Sequence, residues 1–233
     1  MNILGIVFAL AAGVFFGIIG PVTKTAYNLG AGVGLAIFLR YIVALLIVAP
    51  LIPYQKNLLK TYKENLTNFL LITIASIMLT TGLLISVTYI NVSLTIIIFC
   101  TYPVIVLTIS IFITKEKIKN LIKFLFVTTF FGLFLALSPS SESLKVQGII
   151  FALIASLGAS IMIVTNQTMS QKNISPIQIN IFINFFNTIF FFLILSIFFK
   201  IDVDISFNTF LILLIPSFSY AIALFLQLLA IPR

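Results

Sequence analysis

The sequence predicts an all-α membrane protein: about eight transmembrane helices out of a ten-helix bundle built from two inverted five-helix repeats. Three observations carry that expectation. Of 233 residues, 61% are hydrophobic and 8% charged, with a mean hydropathy of +1.28. The chain breaks into stretches long enough to cross a bilayer, and the first of them is echoed late in the sequence. A soluble domain carries roughly 25% charged residues. Thirteen basic and five acidic side chains cannot cover a 25.8 kDa globule, which excludes a cytosolic enzyme or a nucleic-acid-binding module.

A span needs about 20 apolar residues. Charge-poor stretches of that kind fall at approximately 3–23, 33–53, 69–90, 93–114, 121–138, 148–167, 177–199 and 208–230. They read as helices, because lipid leaves no water to satisfy an open strand and the runs do not alternate as barrel strands do. Turn chemistry marks the joints: Asn28, Gly30 and Gly32 after the first, Pro139, Ser140 and Ser141 after the fifth, Ser175 and Pro176 before the seventh. The first stretch is longer than the apolar core of a signal peptide, and no Lys or Arg precedes it.

Loop charges set the orientation. One side holds Lys56, Lys60, Lys63, Lys115, Lys117, Lys119, Lys123, Lys172 and Arg233, nine basic residues. The other holds Lys24, Lys145 and Lys200 among Glu142, Asp202 and Asp204. By the positive-inside rule both termini lie in the cytoplasm, so the protein is expected to be a multi-pass protein of the cell membrane. The net charge of +8 is then a topology signal and no nucleic-acid footprint.

Residues 5–12 read GIVFALAA and residues 148–155 read GIIFALIA, six identities in eight at an offset of 143. The next spans keep step, 33–53 with 177–199 and 69–90 with 208–230. Five spans lie within the offset, so the second copy enters the membrane from the opposite face, as in many secondary carriers. The division expected is a first five-helix repeat over 1–143 and a second over 144–233 that holds three helices. Counterparts of residues 91–143 are missing, which reads as a truncated ten-helix protein, with a true eight-helix architecture as the alternative.

The stretch FFGIIGPVTK (15–24) followed by LRY (39–41) resembles the first two helices of the drug/metabolite transporter superfamily, EamA type. The segment YINVSLTIIIFCTYPVIVLTISIFITKEKI (89–118) is similar to that family's passage from third to fourth helix, with Ser93, Pro103 and Lys115-Glu116-Lys117 at its marked positions. The resemblance implies a ten-helix carrier of amino acids and other small metabolites, importing or exporting them. It also implies that the absent ninth helix would line the cavity.

Candidate site residues follow from the cost of polar groups in lipid. No acid lies in any span, whereas Lys24 ends the first and Arg40 sits seven residues into the second. A membrane cation without an anionic partner marks a ligand site, here for a carboxylate or phosphate. The alternatives are interfacial anchoring of Lys24 and outward snorkelling of Arg40. Asn180, Asn184 and Asn187 form one helical stripe, and Ser217, Tyr220 and Gln227 form another below Pro216. With Ser156, Ser160 and Gln167 they outline either a polar cavity or interhelical hydrogen bonding. Tyr41, Tyr89 and Tyr102 supply aromatic walls or mark the headgroup level. Gly13 and Gly17, with Ser156 and Ser160 in the second copy, make small faces for close helix packing. Gly20-Pro21 should bend the first helix.

Chemistry is largely excluded. The absence of His removes the usual neutral-pH acid–base group, and Cys100 alone permits no disulfide and no thiolate metal cluster. No nucleophile–base pair or carboxylate pair can be assembled, so no enzyme and no cofactor or metal is expected. The expected function is secondary transport of small metabolites by alternating access. A non-transporting membrane subunit, or an inactive fragment of a carrier, is the other reading. The partners expected are the lipid bilayer and a small-molecule substrate, with a homodimer as an open option and no nucleic acid.

Overall fold

A computed structural model of the chain describes residues 3–114, 145–198 and 206–230, together with 124, 127–132 and 135. Every regular element among them is helical. In chain order they are α1 (Ile3–Asn28), α2 (Val33–Val48), a 3-10 turn (Ala49–Tyr54), α3 (Leu58–Glu64), α4 (Leu66–Tyr89), α5 (Val92–Phe99), α6 (Tyr102–Thr114), α7 (Val146–Gln171), α8 (Pro176–Phe198) and α9 (Phe207–Ala230). Seven described spans are long and apolar enough to cross a membrane, the fourth combining most of α5 and α6. At 1.5 Å per residue the 24- to 26-residue helices are about 36–39 Å long, enough for the hydrocarbon and part of each interface. Most of the fifth expected span, 121–138, and the Pro139–Ser141 joint lie outside the described residues, although 127–132 is helical.

Helix ends follow local chemistry. Gly30, at φ 90°, ends α1 with the Ala31 amide bonded back to the Ala26 carbonyl at 3.0 Å. Asn173, at φ 55°, ends α7 with the Ile174 amide bonded to the Met169 carbonyl at 3.1 Å. Both are left-handed caps that satisfy orphaned carbonyls, and each residue of the second lies 143 after its counterpart in the first. The helices they close, Ile3–Asn28 and Val146–Gln171, differ by the same offset at both ends.

The chain divides into two compact units, Met1–Thr73 with Thr165–Arg233, and Ile74–Val164. In the first unit α1 packs along α9, and α2 packs against α8 and α9. Gly5 permits the close end of that contact: a Cβ there would stand 3.1 Å from the Ala230 carbonyl oxygen. In the second unit α4 meets α7 backbone to backbone. A Cβ on Gly82 would lie 2.6 Å from the Phe151 carbonyl oxygen, and one on Gly158 2.6 Å from the Leu79 amide. The α7 face that allows this approach is the stripe Gly148, Ala152, Ala155 and Ala159, its alanines all buried. Large apolar side chains such as Phe185, Ile189 and Phe192 are exposed on the outer faces, as lipid-facing residues should be.

Three expectations change. Gly13 and Gly17 are not packing sites among the described residues: both are exposed, and a Cβ on either would meet nothing within 4 Å. Short apolar repeats conceal which face of a helix turns inward. The fourth span is two helices, not one with a central proline. Pro103 lacks an amide and stands in the first turn of α6, where none is needed. The chain breaks at Cys100 and Thr101, and the Thr101 hydroxyl donates to the Ile98 carbonyl at 2.8 Å. The second span, Val33–Tyr54, is α-helical only to Val48, and its remainder winds into the 3-10 turn that carries Pro50 and Pro53.

Candidate functional site

Arg40 lies midway along α2 on the face that also buries Ala36, Ile37, Tyr41, Val43 and Ala44. It is 3% exposed. Its guanidinium carbon stands 5.1 Å from the centroid of the Tyr220 ring of α9. Tyr220 meets Tyr41 edge to face at 5.7 Å, and Tyr41 stacks on Phe191 of α8 at 5.6 Å with the rings 9° from parallel. Tyr27 of α1 lies within electrostatic reach of the same guanidinium. The snorkelling alternative therefore fails for Arg40, which is buried beside Tyr220 of α9, Tyr27 of α1 and its own neighbour Tyr41. A cation over ring faces gains about 2 kcal/mol when desolvated. That is well short of the cost of removing a full charge from water.

No carboxylate among the described residues makes up the difference. Glu64 is the single acid among the described residues, and it is exposed on α3 and paired with Lys60 at 3.8 Å. Two hydroxyls on α1 face inward without a hydrogen-bond partner among the described residues, Tyr27 and, one turn earlier, Thr23, which is 1% exposed. Sequence reasoning passed over both, because it searched the spans for charge and ended the first at residue 23. Their spacing of four, continuing Ala12 and Ile19 along the buried face, was the available signal.

The asparagine stripe is buried on α8, with Asn184 and Asn187 completely enclosed. Asn184 Nδ2 donates to the Asn180 carbonyl at 2.9 Å and to Asn180 Oδ1 at 2.6 Å. Asn180 Nδ2 and Asn184 Oδ1 are left without partners among the described residues. Phe191 continues the stripe to Tyr41, so Arg40, Tyr220 and the asparagines belong to one unit. At the other end of the stripe the Tyr62 hydroxyl of α3 donates to the Gln178 carbonyl at 2.9 Å, and Gln178 Nε2 donates to the Lys56 carbonyl at 3.2 Å. The Tyr62 ring meets both Phe69 and Phe182 edge-on, at 4.7 and 4.8 Å. This burial pushes the Tyr62 phenol well above its ordinary pKa.

The other candidates separate. Lys24 is half-buried near the end of α1, and Gln227 is half-buried near the end of α9. Tyr102 belongs to the second unit, where its ring packs on Phe99 at 5.2 Å and its carbonyl accepts from Ser160 at 3.0 Å. Ser156 also serves that unit, its hydroxyl 2.9 Å from that of Thr101. The two serines thus support the α5–α6 break. Tyr41 is an inner aromatic wall, whereas Tyr89, 37% exposed, stacks on Phe151 at the end of α4.

Seven long apolar spans with outward-facing phenylalanine and inward-facing polar side chains define an integral, multi-pass membrane protein. The chain matches the EamA-like transporter family over residues 3–138, more than half of its length, and it belongs to that family. It is a membrane transporter of the drug/metabolite type. No curated protein matches it.

Proposed function

We propose that the protein is a secondary carrier that moves small organic anions across the cell membrane by alternating access, with Arg40 as the anchor for the substrate's charge. The observation that carries this reading is a buried cation over the Tyr220 ring, with no acid in any span and the Tyr27 hydroxyl nearby, without a partner among the described residues. A carboxylate or phosphate arriving there supplies the missing counter-charge and accepts a hydroxyl proton in a hydrogen bond, in a setting where charge-assisted bonds are strong. Asn180, Asn184, Asn187 and Tyr220 line the same unit, while Lys24 and Gln227 serve as outlying contacts.

The offset of 143 shared by helix bounds and caps supports two repeats, and the pairing of α1 with α9 and of α4 with α7 suits an inverted exchange of helices between them. Lys172 Nζ donates to Asn65 Oδ1 at 3.2 Å, which brings two of the basic loops together and supports a cytoplasmic side holding both termini. No span holds Asp, Glu or His, the usual intramembrane proton carriers, so exchange or facilitated movement fits better than proton coupling.

Uptake of radiolabelled organic acids into liposomes holding the purified chain tests the reading. Anion uptake saturates in the wild type, and Arg40→Gln abolishes it at equal incorporation. Wild-type uptake by Arg40→Gln, or no uptake of any anion by the unaltered chain, overturns it.

A further inference from the structure

We propose that Asn180 and Asn184 form a second substrate contact, reading a neutral group that both donates and accepts a hydrogen bond, a carboxamide or an alcohol, on the anion held at Arg40. The inference rests on the Arg40 reading above and adds to it a substrate class.

The hydrogen bonds fix how both amides are turned. Asn184 must direct its nitrogen at Asn180, because an oxygen there would face two acceptors, the Asn180 carbonyl and Oδ1. Its own Oδ1 is therefore turned away. Asn180, with Oδ1 engaged, presents Nδ2. One donor and one acceptor remain, both enclosed and both without a partner among the described residues. Each costs about 1–3 kcal/mol in that condition. A metal cation would satisfy the oxygen and be repelled by the N–H, and a carboxylate would do the reverse. A group that accepts from Asn180 and donates to Asn184 satisfies both.

The position gives the rest. Asn184 lies seven residues before Phe191 on α8, about 10 Å of helical rise. Phe191 stacks on Tyr41, which borders the ring beneath Arg40. The second group therefore stands about two helical turns along α8 from the ring cluster that borders Arg40. An ammonium on the same molecule would meet no acid, since none lies in any span. The class is a net-anionic carboxylate with a remote amide or hydroxyl, in preference to a zwitterion.

The test is equilibrium binding of radiolabelled 6-acetamidohexanoate to the purified full chain, competed by nonanoate, which has the same length and no amide, and by 6-aminohexanoate. The wild type prefers the acetamido acid. Asn184→Leu lowers that preference by about ten- to hundredfold without weakening nonanoate. Asn180→Leu, which removes the donor, does the same and stands in if the first variant does not accumulate. Arg40→Gln weakens both carboxylates alike. A preference unchanged in both asparagine variants means that the couple holds only water, and overturns the proposal. So does 6-aminohexanoate binding as tightly as the acetamido acid. Failure of the wild type to bind either carboxylate, or an unaltered Arg40→Gln, instead brings down the Arg40 reading itself.

Discussion

At the scale of single residues the chain concentrates cost around Arg40 and offsets part of it with rings. Tyr220→Phe keeps the ring face over Arg40 and is expected to retain most of the stability that Tyr220→Leu loses. Tyr220→Leu removes the cation–π contact and should lower unfolding stability by about 2 kcal/mol, measured by thermal unfolding in detergent. Tyr62 gives a pH-dependent counterpart. At pH 7, Tyr62→Phe loses the bond to the Gln178 carbonyl and should cost about 1 kcal/mol. The folded phenol holds its proton above the unfolded value of about 10. Wild-type stability therefore falls as pH rises past about 10, because the unfolded chain releases a proton that the folded one retains. The phenylalanine variant lacks that loss, so the difference between the two narrows in alkaline buffer. Charge in the spans made Arg40 legible in the sequence. Thr23 and Tyr27 were not, since a hydroxyl carries no charge and looks ordinary until its partners can be counted.

At the scale of elements, close packing is decided by which helix face turns inward. Gly82→Leu or Gly158→Leu would drive a side chain into the opposing backbone of the α4–α7 pair and should cost about 1–3 kcal/mol or prevent accumulation. Gly13→Ala and Gly17→Ala, on an open face, should be neutral or raise stability by about 0.5–1 kcal/mol. Expression and melting temperatures of the four variants check the contrast. Helix positions were readable from apolar run lengths, and the bounds of α8 and α9 match to within two residues. The α5–α6 break was not readable, because a proline inside an apolar run marks a kink as well as a restart. Only Thr101, Ser156 and Ser160, brought together in space, favour the restart.

At the scale of the whole molecule, eight residues at an offset of 143 suggested a repeat, whereas the pairing of the helices could not be read from the sequence. Neither a count of spans nor their hydropathy says that α1 goes to α9 and α4 to α7. Orientation makes a test at this scale. In a Cys100→Ser background, Lys24→Cys and Lys172→Cys should react with a membrane-impermeant thiol reagent from opposite sides of sealed vesicles. Labelling of both from one side would contradict the inverted arrangement.

The α1–α9 pairing also sets a schedule for biogenesis. When α1 leaves the ribosome, its packing partner lies nearly 180 residues later in the chain. Synthesis of that interval takes on the order of ten to forty seconds. Through that time the Gly5–Ala12 face and the Thr23 and Tyr27 hydroxyls must wait against lipid or a chaperone of the insertion machinery. A ribosome that stalls before residue 207 leaves that face unmated, a mark by which membrane quality control can recognise unfinished chains.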